Sequence, residues 1–232
     1  MISITLKKWL GIPHPCEAPS SIFIGLIGGV GDLISAAPSV VALKKKYPDA
    51  QITFGVGDGI FFNTIKNDPN IDHFETPFFY NVWKKRARRK TYREKYREHD
   101  QVFLLDNGTY DWWKPRKHLL DIYAEKCGVS LKERRPIIYL NDNDFEEAKK
   151  KLNELGISNN DKFLVLSPET RSKKKMKEWP YDRFLSLIQK IHQNHDFKIV
   201  TLVSKENPYN YDGTIPLKGY PLGPSAAMIS RS

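Results

Sequence analysis

A carboxylate, Asp32, closes a glycine-rich turn near the start of the chain. The turn is the segment 28–32, GGVGD, between a short apolar run and a stretch with helical spacing of apolar residues. A strand, a glycine-rich turn and a helix together present backbone N–H groups to a phosphate. The dinucleotide fingerprint G-x-G-x-x-G fits only in part, because Gly29 and Gly31 match its first two glycines and Ile34 stands at the third.

Asp32 admits two interpretations. A carboxylate at a helix N-terminus repels a pyrophosphate placed there, which argues against dinucleotide binding. It also complements the helix dipole, and position alone slightly favours this structural role. In the other interpretation it faces the crevice at the carboxyl ends of the strands. There it takes a proton from a sugar hydroxyl as that oxygen attacks an anomeric carbon.

The second chemical signal is a cluster of cations, here called the basic segment, over residues 83–97. The chain has a net charge of +10, and this segment holds nine Lys and Arg residues against the single acid Glu94. A basic helix over 80–99 is predicted, and it attracts the phosphates of lipid headgroups or of an anionic glycolipid. The residues proposed to bind this anionic acceptor are Arg86, Arg89, Lys90 and Arg93. A solvated helix is the alternative. Nucleic acid ranks last as a partner, because no helix-turn-helix or KH loop accompanies the cations.

Alternating strands and helices must position these residues. The apolar patterns predict strands over 21–27, 51–56, 72–74, 101–106, 137–140, 163–167 and 197–203. Helices are predicted over 33–47, 60–66, 80–99, 116–127, 142–155 and 181–194, with another beginning at 225 after a Pro/Gly-rich tail. This alternation predicts an α/β fold with Rossmann-like parallel sheets. Because turn-forming residues cluster over 156–161, the predicted domains are 1–158 and 159–232.

Composition narrows the class of protein. Hydrophobic residues make up 40% of the chain, which is enough for packed cores. No apolar run is long enough to cross a bilayer, and the first ten residues lack the charge order of a secretory signal, so we expect a cytoplasmic protein. Cys16 and Cys127 are far apart in sequence and fit no metal-binding spacing, so neither a disulfide nor a metal site is predicted.

Residues 24–53 resemble the opening of the ADP-heptose:lipopolysaccharide heptosyltransferase family. They show a strand, a turn ending in Gly-Asp, a helix with an early proline, and Pro-Asp-Ala before the second strand. Residues 67–72 resemble the next link of that family. Residues 163–184 resemble the start of its second domain, through Thr170-Arg171 and the Lys177-x-Trp179-Pro180 element.

This resemblance implies a two-domain GT-B fold, with the acceptor on the N-terminal domain and the nucleotide-sugar on the C-terminal one. It implies inverting, metal-independent transfer of a heptose or similar sugar from a nucleotide diphosphate donor such as ADP-heptose, with no cofactor. The acceptor is a lipopolysaccharide-type glycolipid, which places the protein peripherally at the inner face of the membrane. Asp32 becomes the general base, and Trp179 is interpreted as a packing residue. The substrate- and donor-binding residues are Gly29, Gly31, Thr170, Arg171 and Lys177.

Two features depart from the family. The loop between Thr170 and Lys177 is longer than usual, and the later Asp-Ser/Thr-Gly…His motif, which binds the donor phosphates, does not occur. We therefore expect an incomplete second domain with two strands. The alternative function is a catalytically incomplete relative that binds an anionic membrane or a partner through the basic segment.

Overall fold

The computed structural model describes residues 18–78, 94–105, 117–170 and 178–232 of the 232-residue chain. The chain forms two compact units, Met1–Tyr139 and Leu140–Ser232. The elements of the first unit are β1 (Ser21–Leu26), α1 (Val30–Lys46), β2 (Gln51–Gly55), α2 (Ile60–Ile65), β3 (His73–Glu75), β4 (Gln101–Leu105) and α3 (Leu119–Cys127). Those of the second are α4 (Asp142–Glu154), β5 (Phe163–Leu166), α5 (Tyr181–Asn194), β6 (Lys198–Val203), β7 (Ile215–Lys218) and α6 (Leu222–Arg231).

The first unit is built on a parallel sheet with the strand order β3-β2-β1-β4. Ile22 to Leu26 of β1 are all buried, as expected for a central strand of a parallel sheet that is covered on both faces. The chain moves from β1 to β2 on one side and reaches β4 on the other. The strand order therefore reverses between β1 and β4, and the turn after β1 lies at this switch point.

Helix α1 packs against the sheet through one apolar face. Leu33, Ala36, Val40 and Leu43 recur at helical spacing and are buried in the main core cluster. Lys44, Lys45 and Lys46 occupy the last turn, where cations complement the helix dipole.

Pro38 lies inside α1 and has no N–H group to donate to the carbonyl of Ile34. That carbonyl instead accepts a hydrogen bond from the backbone N–H of Ile137, at 3.0 Å. The predicted strand over 137–140 is therefore wrong. These residues form an extended segment that is not a strand of the sheet, and the Ile137 N–H donates a hydrogen bond to a carbonyl of helix α1.

The second unit has a parallel sheet in the order β5-β6-β7. The expected two-stranded remnant is wrong, because β7 falls within the Pro/Gly-rich tail. Pro216 of β7 is paired with Thr201 at the edge of the sheet, where a missing N–H group is tolerated. The helix expected from 225 onward is α6, which begins at Leu222.

Helix α4 belongs to the second unit, although the sequence assigned it to the first. Ala148 and Leu152 of α4 pack with Ala227 and Met228 of α6 in one buried cluster. This packing moves the division of the chain from 158 to Tyr139 and Leu140. Domain boundaries follow such contacts, and the turn-rich residues 156–161 form a connection inside the second unit.

Candidate functional site

The turn after β1 holds the Asp32 side chain against the start of α1. Gly29 is the N-cap residue of the helix, and its carbonyl accepts hydrogen bonds from the N–H groups of Asp32 and Leu33. In return, Oδ2 of Asp32 accepts a hydrogen bond from the Gly29 N–H at 2.6 Å. The carboxylate thus satisfies one of the helix N–H groups that lack an intrahelical partner.

Gly28 is the glycine on which this geometry depends. A Cβ atom at this position would lie 2.4 Å from Cβ of Asp32 and 2.6 Å from its Oδ2. At Gly29 a Cβ atom would stand 3.7 Å from Oδ2 of Asp32, and at Gly31 it would meet nothing within 4 Å. Sequence reasoning selected Gly29 and Gly31, whose backbones are exposed, and missed the steric demand at Gly28.

A second hydrogen bond reaches Asp32 from α3. The hydroxyl of Tyr123 donates to Oδ1 of Asp32 at 3.2 Å. The Tyr123 side chain is fully buried in the main core cluster, whereas Asp32 is partly exposed. Sequence reasoning did not select Tyr123, because helical periodicity marks it as a core residue without saying what its hydroxyl contacts.

The remaining predicted residues are spread over both units. Thr170 lies beyond β5 in the second unit and is partly exposed. Arg171 and Lys177 lie outside the described residues, as do Arg86, Arg89, Lys90 and Arg93.

Two cations at the end of the basic segment, Lys95 and Arg97, are described. The Lys95 ammonium donates to Oε1 of Glu75 at 2.7 Å and to the hydroxyl of Tyr96 at 2.9 Å. These hydrogen bonds, led by that to Glu75, raise the pKa of Lys95 above its ordinary value. Lys95 is thus paired within the first unit.

A cleft opens in the second unit beyond the ends of β5 and β6. Its volume is about 490 Å³, within the range of small-molecule sites. It is lined by Pro168, Glu169, Glu178, Trp179, Pro180, Tyr181, Asn207, Pro208, Tyr209 and Tyr211. The Glu169 carboxylate accepts hydrogen bonds from the backbone N–H and the hydroxyl of Ser204, which ties together the loops that follow the two strands.

Aromatic side chains shape this cleft. The rings of Tyr181 and Tyr209 stack with centroids 4.7 Å apart and an interplanar angle of 22°. Trp179 packs edge-on against Phe184 at 5.0 Å, as a packing residue would, yet 49% of it is exposed. Exposed aromatic faces in a concave surface suit the stacking of a planar base or a sugar ring.

The Cys127 thiol has a structural role. Burial raises the pKa of the Cys127 thiol to about 12, so this side chain packs in the core as a neutral group. In the described part of the chain, no three His, Cys, Asp or Glu side chains come together as metal ligands would. No helix in the same residues is long and apolar enough to span a membrane.

Comparison of the sequence with protein families and with curated proteins gives no match. Solved structures of glycosyltransferases do match. A glycosyl transferase of family 9 from Veillonella parvula superimposes with a TM-score of 0.66 and 19% identity, over 91% of this chain and 73% of that one. For E. coli ADP-heptose lps heptosyltransferase II the TM-score is 0.59 at 13% identity, over 91% of this chain and 76% of that one. E. coli heptosyltransferase WaaC, solved with ADP, gives 0.57 at 14% identity, over 91% and 79% respectively.

The chain therefore has the two-unit, Rossmann-like fold of these glycosyltransferases, as its α/β alternation predicted. The resemblance to heptosyltransferases drawn from residues 24–53 and 163–184 is confirmed at the level of the fold.

Proposed function

We propose that the protein is a glycosyltransferase that moves a heptose or similar sugar from a nucleotide diphosphate donor to an anionic glycolipid. The observation that carries this proposal is the Asp32 carboxylate. It follows the central strand of the sheet at the switch point, where ligands of open α/β sheets bind. It is partly exposed and oriented by two hydrogen bonds. Because the fold is similar to that of glycosyltransferases, we propose that this carboxylate takes part in glycosyl transfer.

Asp32 acts as the general base in this proposal. Its carboxylate takes the proton of an acceptor hydroxyl while that oxygen attacks the anomeric carbon. The bond between the anomeric carbon and the diphosphate oxygen breaks, and the nucleoside diphosphate leaves with the bonding electrons from the opposite face. The products are an inverted glycoside, the nucleoside diphosphate and a protonated Asp32, which returns its proton to water. Because a carboxylate oxygen has two lone pairs, each oxygen of Asp32 can accept the hydroxyl besides its present partner.

The second unit is proposed to bind the donor. Its aromatic cleft has room for a nucleotide base, and Thr170 directly follows Glu169, which lines the cleft. Arg171 and Lys177 are proposed to contact the diphosphate, where fixed cations stabilise the charge of the leaving group. ADP-heptose is the proposed donor, since heptosyltransferase WaaC has been solved with ADP-2-deoxy-2-fluoro heptose. No metal or cofactor takes part in the proposed reaction.

The acceptor is proposed to be a lipopolysaccharide-type glycolipid at the cytoplasmic face of the membrane. The support for this proposal is the charge of the basic segment, which includes Arg86, Arg89, Lys90 and Arg93. Phosphates of such a glycolipid would be attracted to these cations.

The test is transfer by the full chain, measured as release of ADP from ADP-heptose in the presence of a lipopolysaccharide acceptor lacking heptose. We expect Asp32→Asn to lower the rate by about 10²–10⁴-fold, the usual contribution of a general base, and to leave the Kd of ADP unchanged. Asparagine still accepts the Gly29 hydrogen bond, so the helix cap survives. Asp58→Asn is the matched control, because Asp58 is an exposed acid in the turn after the neighbouring strand β2.

Transfer at the wild-type rate by Asp32→Asn would reject the general-base role. Binding of ADP-heptose and of anionic vesicles without any transfer by the wild-type chain would favour the catalytically incomplete relative.

A further inference from the structure

Tyr123 contacts the Asp32 carboxylate from within the core of the first unit. We infer that Tyr123 is a positioning residue that sets the orientation of the general base. This inference rests on the proposed function of Asp32, and it concerns a residue that lies 91 positions further along the chain.

The phenol ring of Tyr123 is held rigidly. Its side chain has no exposed surface and belongs to the same buried cluster as Leu33 of α1 and Leu105 of β4. Its helix is fixed at both ends. Nδ1 of His118 accepts a hydrogen bond from Leu120 N–H at the start, and Gly128 ends it in the left-handed region at φ 63°. A ring that is held in this way places its hydroxyl at one fixed position.

Two hydrogen bonds define the plane of the Asp32 carboxylate. The Gly29 N–H donates to Oδ2 and the Tyr123 hydroxyl donates to Oδ1. With one bond to each oxygen, the carboxylate cannot rotate about its Cβ–Cγ bond without breaking a contact. Without the phenol hydroxyl, only the hydrogen bond from the Gly29 N–H would remain, and the carboxylate could rotate about it. Catalytic groups need placement to within roughly 0.5 Å. A general base that is held by one hydrogen bond fewer is therefore expected to lower the rate of transfer.

Hydrogen bonds to an ionised acceptor are stronger than those between neutral groups. The hydrogen bond from Tyr123 to the Asp32 carboxylate is therefore expected to hold the orientation of the general base firmly. A purely structural role, in which Asp32 merely satisfies a buried hydroxyl, predicts a change in stability and none in turnover.

The experiment compares Tyr123→Phe with Tyr47→Phe in the full chain. Tyr47 packs against the same core cluster, so the control also removes a phenol hydroxyl from this region. We expect Tyr123→Phe to lower kcat about tenfold, while the KM values for ADP-heptose and acceptor stay unchanged, because the hydroxyl orients the base and does not bind substrate. Tyr47→Phe should leave kcat unchanged. In the Asp32→Asn background, Tyr123→Phe should not lower the residual rate further, since its effect acts through the carboxylate.

A second measurement does not depend on activity. The ¹³Cγ resonance of Asp32 should move in Tyr123→Phe and stay in place in Tyr47→Phe. An unmoved resonance, or an unchanged kcat in Tyr123→Phe when Asp32→Asn lowers the rate of transfer as expected, overturns the positioning role while the proposed function stands. Full activity of Asp32→Asn overturns the proposed function and this inference with it.

Discussion

The backbone of Gly28 lies directly against the side chain of Asp32. A Cβ atom at Gly28 would approach Cβ of Asp32 to 2.4 Å, a separation that real Cβ atoms do not show. The carboxylate can fold back over the turn and reach the Gly29 N–H only because this position carries no side chain.

Gly28→Ala should therefore displace Asp32 or distort the turn. We expect the free energy of unfolding to fall by about 1–3 kcal/mol, the usual cost of overpacking, as measured by urea denaturation. Gly31→Ala is the matched control, because its Cβ atom meets nothing within 4 Å. It should be neutral or stabilising by up to about 1 kcal/mol, since alanine favours the helix. A Gly28→Ala protein as stable as the wild type would show that the turn has another conformation.

Pro38 and Ile137 yield a second prediction. Pro38→Ala supplies a new N–H group that can donate to the Ile34 carbonyl, which now accepts from Ile137. Competition for this carbonyl should speed hydrogen exchange at the Ile137 amide. The measurement is residue-resolved exchange, with the Val129 amide as the internal reference, because it donates to Ala124 at the end of α3. Equal protection of Ile137 in both proteins would contradict the exchange of partners.

Asp100 joins the starts of two neighbouring strands and makes stability depend on pH. Its carboxylate accepts hydrogen bonds from the hydroxyl and N–H groups of Ser20 and of Ser21, the first residue of β1. These bonds, led by the Ser20 hydroxyl, hold the pKa of Asp100 below its ordinary value against the opposing effect of burial. Because this pKa is lower in the folded state, the contribution is present above about pH 4 and is lost as the pH falls through the folded value.

Asp100→Asn should therefore lower the free energy of unfolding by about 1 kcal/mol at pH 7, a figure reduced for the exposure of the site. The difference from the wild type should shrink as the pH falls below about 4 and through the lowered folded pKa of Asp100, because below that pKa the group is neutral in both states. Urea denaturation at pH 7 and at a series of acidic pH values measures the difference. Asp49→Asn, at an exposed acid in the turn before β2, should have no such effect. A difference that stays constant with pH would refute the linkage.

Trp179 tests the aromatic cleft as the donor site. Trp179→Ala should weaken binding of ADP about tenfold, since aromatic stacking contributes about 0.5–1.5 kcal/mol. Phe145→Ala on α4 is a close control, because Phe145 and Trp179 are each 49% exposed and Phe145 does not line the cleft. Isothermal titration calorimetry gives both Kd values. Equal affinity of the two variants for ADP would show that the nucleotide base does not bind in this cleft.

The basic segment should govern binding to anionic membranes. Replacing Arg86, Arg89, Lys90 and Arg93 by glutamine should weaken binding to vesicles containing anionic lipid, with about 1 kcal/mol per cation near the surface. The control replaces four exposed lysines outside the segment, Lys45, Lys132, Lys149 and Lys150. Vesicle sedimentation at low and high salt measures both. An equal loss in the control would mean that overall charge, and not this segment, drives the attraction.

Local signals predicted most of the elements. Helix α5 was predicted at its observed bounds, because apolar residues at helical spacing follow a proline that starts the helix. Strand β7 was missed, because its proline and the glycines around it mask a strand that forms only at the edge of a sheet. The strand expected over 137–140 failed for the converse reason. An apolar run predicts burial but does not say which group its backbone N–H contacts. Here the Ile137 N–H donates to the Ile34 carbonyl, which has no partner within the helix because Pro38 lacks an N–H group.

The sequence by itself determined the parallel α/β architecture and the place of Asp32 after a central strand, because apolar periodicity and a glycine turn act over neighbouring residues. Only the tertiary structure decided what surrounds that carboxylate. The hydroxyl of Tyr123, the missing Cβ of Gly28 and the cleft beside Trp179 depend on how helices and loops pack. Periodicity marks which residues are buried, and packing alone decides which of them meet.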